Sequence, residues 1–165
     1  MHDEISILAE EVGRVLKERQ LVLAVAESCT GGGVGEAVTR IAGSSAWFDR
    51  GFITYTDAAK RELLGVPGET LERHGAVSEE TARAMARGAL ERSDASLSIA
   101  VTGIAGPDGG SVDKPVGLVW FAWGTADGAI HAERRIFGGE REAVRAQSVA
   151  YALRGVLERL RLSGT

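Results

Sequence analysis

The chain holds one cysteine, three prolines, three histidines and three lysines in 165 residues, and each scarcity removes a class of explanation. Cys29 alone makes neither an intrachain disulfide nor a thiolate metal cluster. A single thiol suits a reducing compartment, so a cytoplasmic location is expected. His2, His74 and His131 are scattered and form no HExxH pair, and nothing in their spacing supports a Ser-His-Asp triad. No metal and no cofactor is expected. The net charge is −4 and no Lys/Arg block occurs, which gives no footprint for nucleic acid. Apolar runs are far shorter than a membrane span, and the acidic, amphipathic residues 1–20 are unlike a secretory signal. The phosphate-loop pattern GxxxxGK[ST] is absent, as is GxGxxG after a strand.

What is present reads as one domain over residues 1–165, long enough to bury a core. Ile5, Leu8, Val12 and Leu16 recur at helical spacing, which predicts a helix over 3–19. The apolar run 21–27 predicts a buried strand, and 33–42 a second helix. A strand is expected at about 48–55, then a short helix over 57–65 with Asp57 as N-cap and Gly65 as its stop. Further helices are expected at 69–74 and at 79–93, the latter capped by Ser78. Strands follow at 95–103, 116–124 and 129–137, and a helix over 140–161 closes the chain. Helices alternate with strands first and a meander follows. That order predicts an α/β fold, a three-layer α/β/α sandwich with a mixed β-sheet.

Three polar, glycine-rich segments lie at strand ends: 27–33, 43–45 and 102–111. Glycine lets backbone approach a ligand, and free N–H groups hold an anion or an oxyanion. The same segments also serve as plain tight turns. Serine and cysteine nucleophiles need a base, and lysine supplies one only when unprotonated. An ordinary lysine is about 99.9% protonated at neutral pH. Lys17 lies on the polar side of the first helix and Lys114 in a loop beside Asp113, whereas Lys60 follows directly after a strand. Ser28 and Cys29 sit where a strand turns toward a helix, a common nucleophile position.

Five segments carry a more specific signal: AESCTGG (26–32), IAGSSAWFDRGFITYTDAAK (41–60), HGAVSEETA (74–82), TGIAGPDGGS (102–111) and KPVGLVWFA (114–122). In this order and spacing the chain resembles the CinA C-terminal domain family, from about residue 5 to 160. The resemblance implies an α/β/α fold and hydrolysis of nicotinamide mononucleotide to nicotinic acid mononucleotide and ammonia, in NAD recycling. It implies a pyridine nucleotide as the partner, with neither nucleic acid nor membrane, and self-association to a dimer or higher. The chain looks like the stand-alone form, without the molybdopterin-binding-like domain that many members carry.

By motif position the resemblance implies a Ser/Lys dyad of Ser45 and Lys60, with Tyr55 as the active-site tyrosine. Thr102, Gly103, Ile104, Ala105 and Gly106 match the loop that lines the substrate site. Arg141 matches the arginine of a Gly-Asp-Arg-like segment, although Glu140 stands where Asp is expected, and it is assigned to the substrate phosphate. Ser28, Thr30 and Gly31 also match, with a less definite role at the substrate. In the expected mechanism, neutral Lys60 deprotonates Ser45, which attacks the carboxamide carbon. Two rivals stay open: a nucleophile at Ser28 or Cys29, and a non-catalytic nucleotide-binding or protein-interaction module.

Overall fold

The stripe of Ile5, Val12 and Leu16 is buried in α1 (His2–Arg19) of the computed structural model, which describes residues 2–163. β1 (Leu23–Glu27) is buried along its whole length, as its apolar run Leu23, Ala24, Val25 and Ala26 requires. α2 (Gly33–Thr39) and a 3-10 turn (Ser44–Ala46) lead to β2 (Phe48–Ile53). Three helices follow, α3 (Asp57–Leu64), α4 (Gly68–His74) and α5 (Glu79–Glu91). The chain continues through β3 (Leu97–Gly103), β4 (Leu118–Thr125) and β5 (Ile130–Ile136), and closes with α6 (Arg141–Leu162). Ser78 caps α5 as expected, its hydroxyl accepting from Thr81 N. The cap of α3 is Thr56 rather than Asp57; its hydroxyl accepts from Ala59 N at 3.1 Å. Asp57 sits in the first turn, where the helix dipole still favours its charge.

The strands form one mixed sheet in the order β2-β1-β3-β4-β5, the first three parallel and the last two antiparallel. One face packs against α1, α2 and α6 through Leu23, Val25, Ile99 and Phe121. The other packs against α3, α4 and α5 through Ala24, Ala26, Ala100 and Ala122. This is the three-layer α/β/α architecture with a mixed sheet that the order of elements predicts.

The order also locates a site. From β1 the chain crosses by α2 to β2 on one side, then returns by α3–α5 to β3 on the other side of β1. The connection from β1 to β2 and the one from β2 to β3 run in opposite directions across the sheet, so the chain parts at the carboxyl ends of β1 and β3. Such a switch point opens the crevice where α/β sheets bind ligands.

α6 is seated on the sheet by close contact. Trp123 is 2% exposed and its indole N–H donates to Ala152 O at 3.0 Å. Gly155 makes room for that ring: a Cβ there would lie 1.9 Å from Trp123 Cζ2. Gly155→Ala is therefore expected to destabilise the fold by about 1–3 kcal/mol through overpacking, as urea denaturation will show.

Candidate active site

Side chains alternate along a strand, so Ser28, Thr54 and Thr102 continue the rows of Ala26, Phe52 and Ala100, which pair across β1, β2 and β3. Backbone bonds extend the ladder to them: Ser28 N–H donates to Val101 O and Thr54 N–H to Glu27 O. Three hydroxyls thus stand side by side at the carboxyl ends of the strands, on the face covered by α3–α5. Lys60 comes down from α3 into this row. Its amine nitrogen is 2.9 Å from Thr54 O, to which it donates, and 3.0 Å from Ser28 Oγ. Lys60 is 1% and Ser28 7% exposed. No carboxylate pairs with Lys60 among the described residues. Burial pushes its amine below the usual lysine range, with the Asp57 carboxylate and Cys29 pulling the other way. Thr102 donates its hydroxyl to Ala76 O at 2.8 Å. The Thr54 hydroxyl is buried and has no hydrogen-bond partner among the described residues. An unsatisfied buried hydroxyl costs about 1–3 kcal/mol, which a polar ligand atom entering the crevice would offset.

The turn after β1 is held from below by Glu27, whose side chain is on the α2 face and 1% exposed. Its Oε1 accepts from Thr30 Oγ1 (2.6 Å), Gly32 N (3.2 Å) and Val34 N (2.9 Å), and its Oε2 from Gly35 N (2.9 Å). A buried carboxylate thereby satisfies the first N–H groups of α2, the positive end of that helix. Gly31 (φ +57°) and Gly32 (φ +100°) supply the left-handed backbone the turn needs. Gly31 N–H returns to Ser28 O and Gly33 N–H to Thr30 O. Among the described residues no oxygen accepts from the N–H groups of Cys29 and Thr30, and the Cys29 N–H faces its own thiol.

Two arginines from the start of α6 fasten the loops around this centre. Arg141 donates to Gly106 O at 2.7 Å and to the Tyr55 hydroxyl at 2.8 Å. Arg145, one turn on, donates to Cys29 O at 3.1 Å and to Thr30 O at 3.3 Å. Cations are disfavoured at a helix N-terminus, so both arginines owe their place to these outside partners. Beside Arg141 lies a cleft of about 430 Å³, walled by Ala105, Gly106, Pro107, Val116 and Gly139. That volume is within the range of small-ligand sites.

Lys60, Ser28, Thr30, Gly31, Thr102, Tyr55, Gly106 and Arg141 therefore converge on one end of the sheet. Ala105 is buried beside the cleft, and Gly103 ends β3 under Val119 and Leu118 O, where a side chain does not fit. Ser45 does not join them. It is exposed in the turn before β2, whereas Lys60 follows the other end of that strand. Six strand residues at about 3.3 Å each put about 17–20 Å between the two ends. Within this chain the serine within reach of Lys60 is Ser28, and the structure does not bring the expected partner Ser45 beside Lys60. Sequence reasoning missed Glu27, Thr54 and Arg145. A carboxylate just before a glycine-rich helix start is a capping signal for Glu27, and Arg145 follows Arg141 by four residues on one helical face.

An α/β/α sandwich with a buried Ser–Lys pair at its switch point is thus the class of protein described. The model of the CinA C-terminal domain matches residues 5–160, and the chain belongs to that family. It is 54% identical over 150 residues to the nicotinamide-nucleotide amidohydrolase PncC of Escherichia coli (strain K12), covering 91% of each chain. To the protein of that name from Pseudomonas putida it is 52% identical over 157 residues, covering 94% of this chain and 97% of the other. The crystal structure of the competence/damage inducible protein CihA from Agrobacterium tumefaciens superposes with a TM-score of 0.92 at 47% identity, covering 94% of both chains.

Cys29 shares the turn with Ser28 but not its chemistry. It is 5% exposed, and burial pushes its thiol up to about 12. The thiolate is the reactive form. Native protein is therefore expected to react with an aromatic disulfide reagent at pH 8 far more slowly than the urea-unfolded chain, as absorbance of the released thiolate will show.

Proposed function

We propose that the chain hydrolyses the carboxamide of nicotinamide mononucleotide to the carboxylate and ammonia, with Ser28 as nucleophile and Lys60 as general base. The observation that carries this reading is the buried 3.0 Å contact between Lys60 Nζ and Ser28 Oγ. A protonated lysine makes that contact as donor and a neutral one as acceptor. Burial without a carboxylate partner favours the neutral form, which is the form a base needs. The activity named for the relatives at 52–54% identity supports the choice of substrate.

The steps follow from the residues present. Lys60 takes the Ser28 hydroxyl proton as the oxygen bonds to the carboxamide carbon. The carbonyl oxygen becomes an oxyanion, for which the N–H groups of Cys29 and Thr30 are the available donors; one such donor contributes about 3–4 kcal/mol. Lys60 then gives its proton to the departing nitrogen, and ammonia leaves behind a serine ester. A water loses a proton to Lys60, attacks the ester, and Ser28 leaves with that proton. The exposed guanidinium of Arg141 at the start of α6 suits the nucleotide phosphate, to which an arginine fork binds in pairs of hydrogen bonds. Tyr55, held by Arg141, stands at the mouth of the site, where its ring can stack on a pyridine.

Ammonia release from nicotinamide mononucleotide is the test. Ser28→Ala and Lys60→Met are each expected to lower kcat by at least about 10²–10⁴ while remaining folded. Ser45→Ala is expected to keep the parent's rate. Full activity in Ser28→Ala, with loss in Ser45→Ala, would overturn the assignment. Because the Lys60 amine is shifted downward, the base is lost on acidification. kcat/KM is therefore expected to rise with pH through one ionisation lying below the ordinary lysine value of about 10.4.

A further inference from the structure

Arg145 is a solvent-exposed arginine whose two ordered contacts are both with main-chain carbonyls, those of Cys29 and Thr30. The consequence lies on the far side of the peptide. Peptide bonds other than Gly106–Pro107 are trans among the described residues, and in a trans peptide C=O and N–H point in opposite directions. Drawing Cys29 O toward Arg145 therefore aims the Thr30 N–H away from α6. α6 covers one face of the sheet, and the Ser28–Lys60 pair stands on the other, under α3. The Thr30 N–H is also one of the two N–H groups in the turn with no acceptor. The next peptide is fixed by the same side chain: Thr30 O is held by Arg145, and the opposed Gly31 N–H closes on Ser28 O.

We infer that Arg145 is a positioning residue for the amidohydrolase reaction: by clamping the Cys29 and Thr30 carbonyls it orients the Thr30 N–H as an oxyanion donor. Its charge against the carbonyl oxygen also polarises the peptide, which strengthens the opposed N–H as a donor. Glycine at position 31 serves the same clamp, because a Cβ there would lie 3.2 Å from Arg145 Nη2 and φ is +57°. The inference rests on the proposed reaction at Ser28. It differs from the role of Arg141, which holds the Tyr55 hydroxyl and the loop of Gly106.

The test compares parent, Arg145→Lys, Arg145→Gln and Arg145→Ala for kcat, KM and melting temperature on nicotinamide mononucleotide. It also compares their affinity for the matching pyridine-3-carbaldehyde nucleotide, which forms a hemiacetal oxyanion with the serine. An oxyanion donor acts on the transition state, so Arg145→Ala is expected to lose about 10²-fold in kcat with little change in KM. Affinity for the aldehyde should fall in parallel, affinity for the acid product should not, and Arg145→Lys should recover part of the loss. A raised KM with kcat intact would overturn the inference and make Arg145 a phosphate ligand. Unchanged kinetics in all folded variants would overturn it too. If the parent releases no ammonia, or if Ser28→Ala keeps full activity, the proposed reaction itself fails, and that outcome is read without any Arg145 variant.

Discussion

The contact on which the site depends is an amine buried without a counter-ion. A charged lysine at 1% exposure pays a desolvation cost that only a carboxylate would repay, and Lys60 has a carbonyl and a hydroxyl instead. Its neighbours fit that electrostatic condition. Glu27, the nearest buried acid in sequence to Ser28, has its carboxylate occupied by the N–H groups of α2 and the Thr30 hydroxyl, on the opposite face of the sheet. Cys29 has its thiol held neutral by burial. In the proposed reaction, the group of this turn that loses a proton to Lys60 is therefore the serine.

The same turn shows how helix dipoles are distributed. The N-terminus of α2 would be a ready anion site, but Glu27 fills it internally. In the proposed reaction the nucleotide's phosphate is then met by a side chain, and Arg141 at the start of α6 is exposed on this side. α6 is in turn fixed to the sheet by the Gly155–Trp123 contact, about four turns away from Arg141. Packing at one end of a helix so sets the position of two guanidinium groups at the other.

Much of this was legible in the sequence. Helical spacing and short apolar runs placed the helices and strands, and the order of elements implied the mixed three-layer sheet. The convergence of residues 28–31, 55, 60, 102–106 and 141 followed from the family resemblance. The pairing of Lys60 with Ser28 did not, because 32 residues separate them and no local pattern links them. A topological argument would have found it. In parallel strands the residues after each strand share one end, so 28 and 60 belong together, whereas 45 precedes its strand and belongs to the opposite end. The carbonyl clamp of Arg145 lay beyond reach, since a contact with backbone leaves no mark on residue types elsewhere.

In the proposed reaction Ser28 carries the acyl group, and the most direct measurement is to find that group. Enzyme turning over nicotinamide mononucleotide would be quenched in acid, digested and examined by mass spectrometry for a nicotinoyl-nucleotide ester. The added mass is expected on the peptide containing Ser28, absent in Ser28→Ala. The same mass on the peptide containing Ser45 would contradict it.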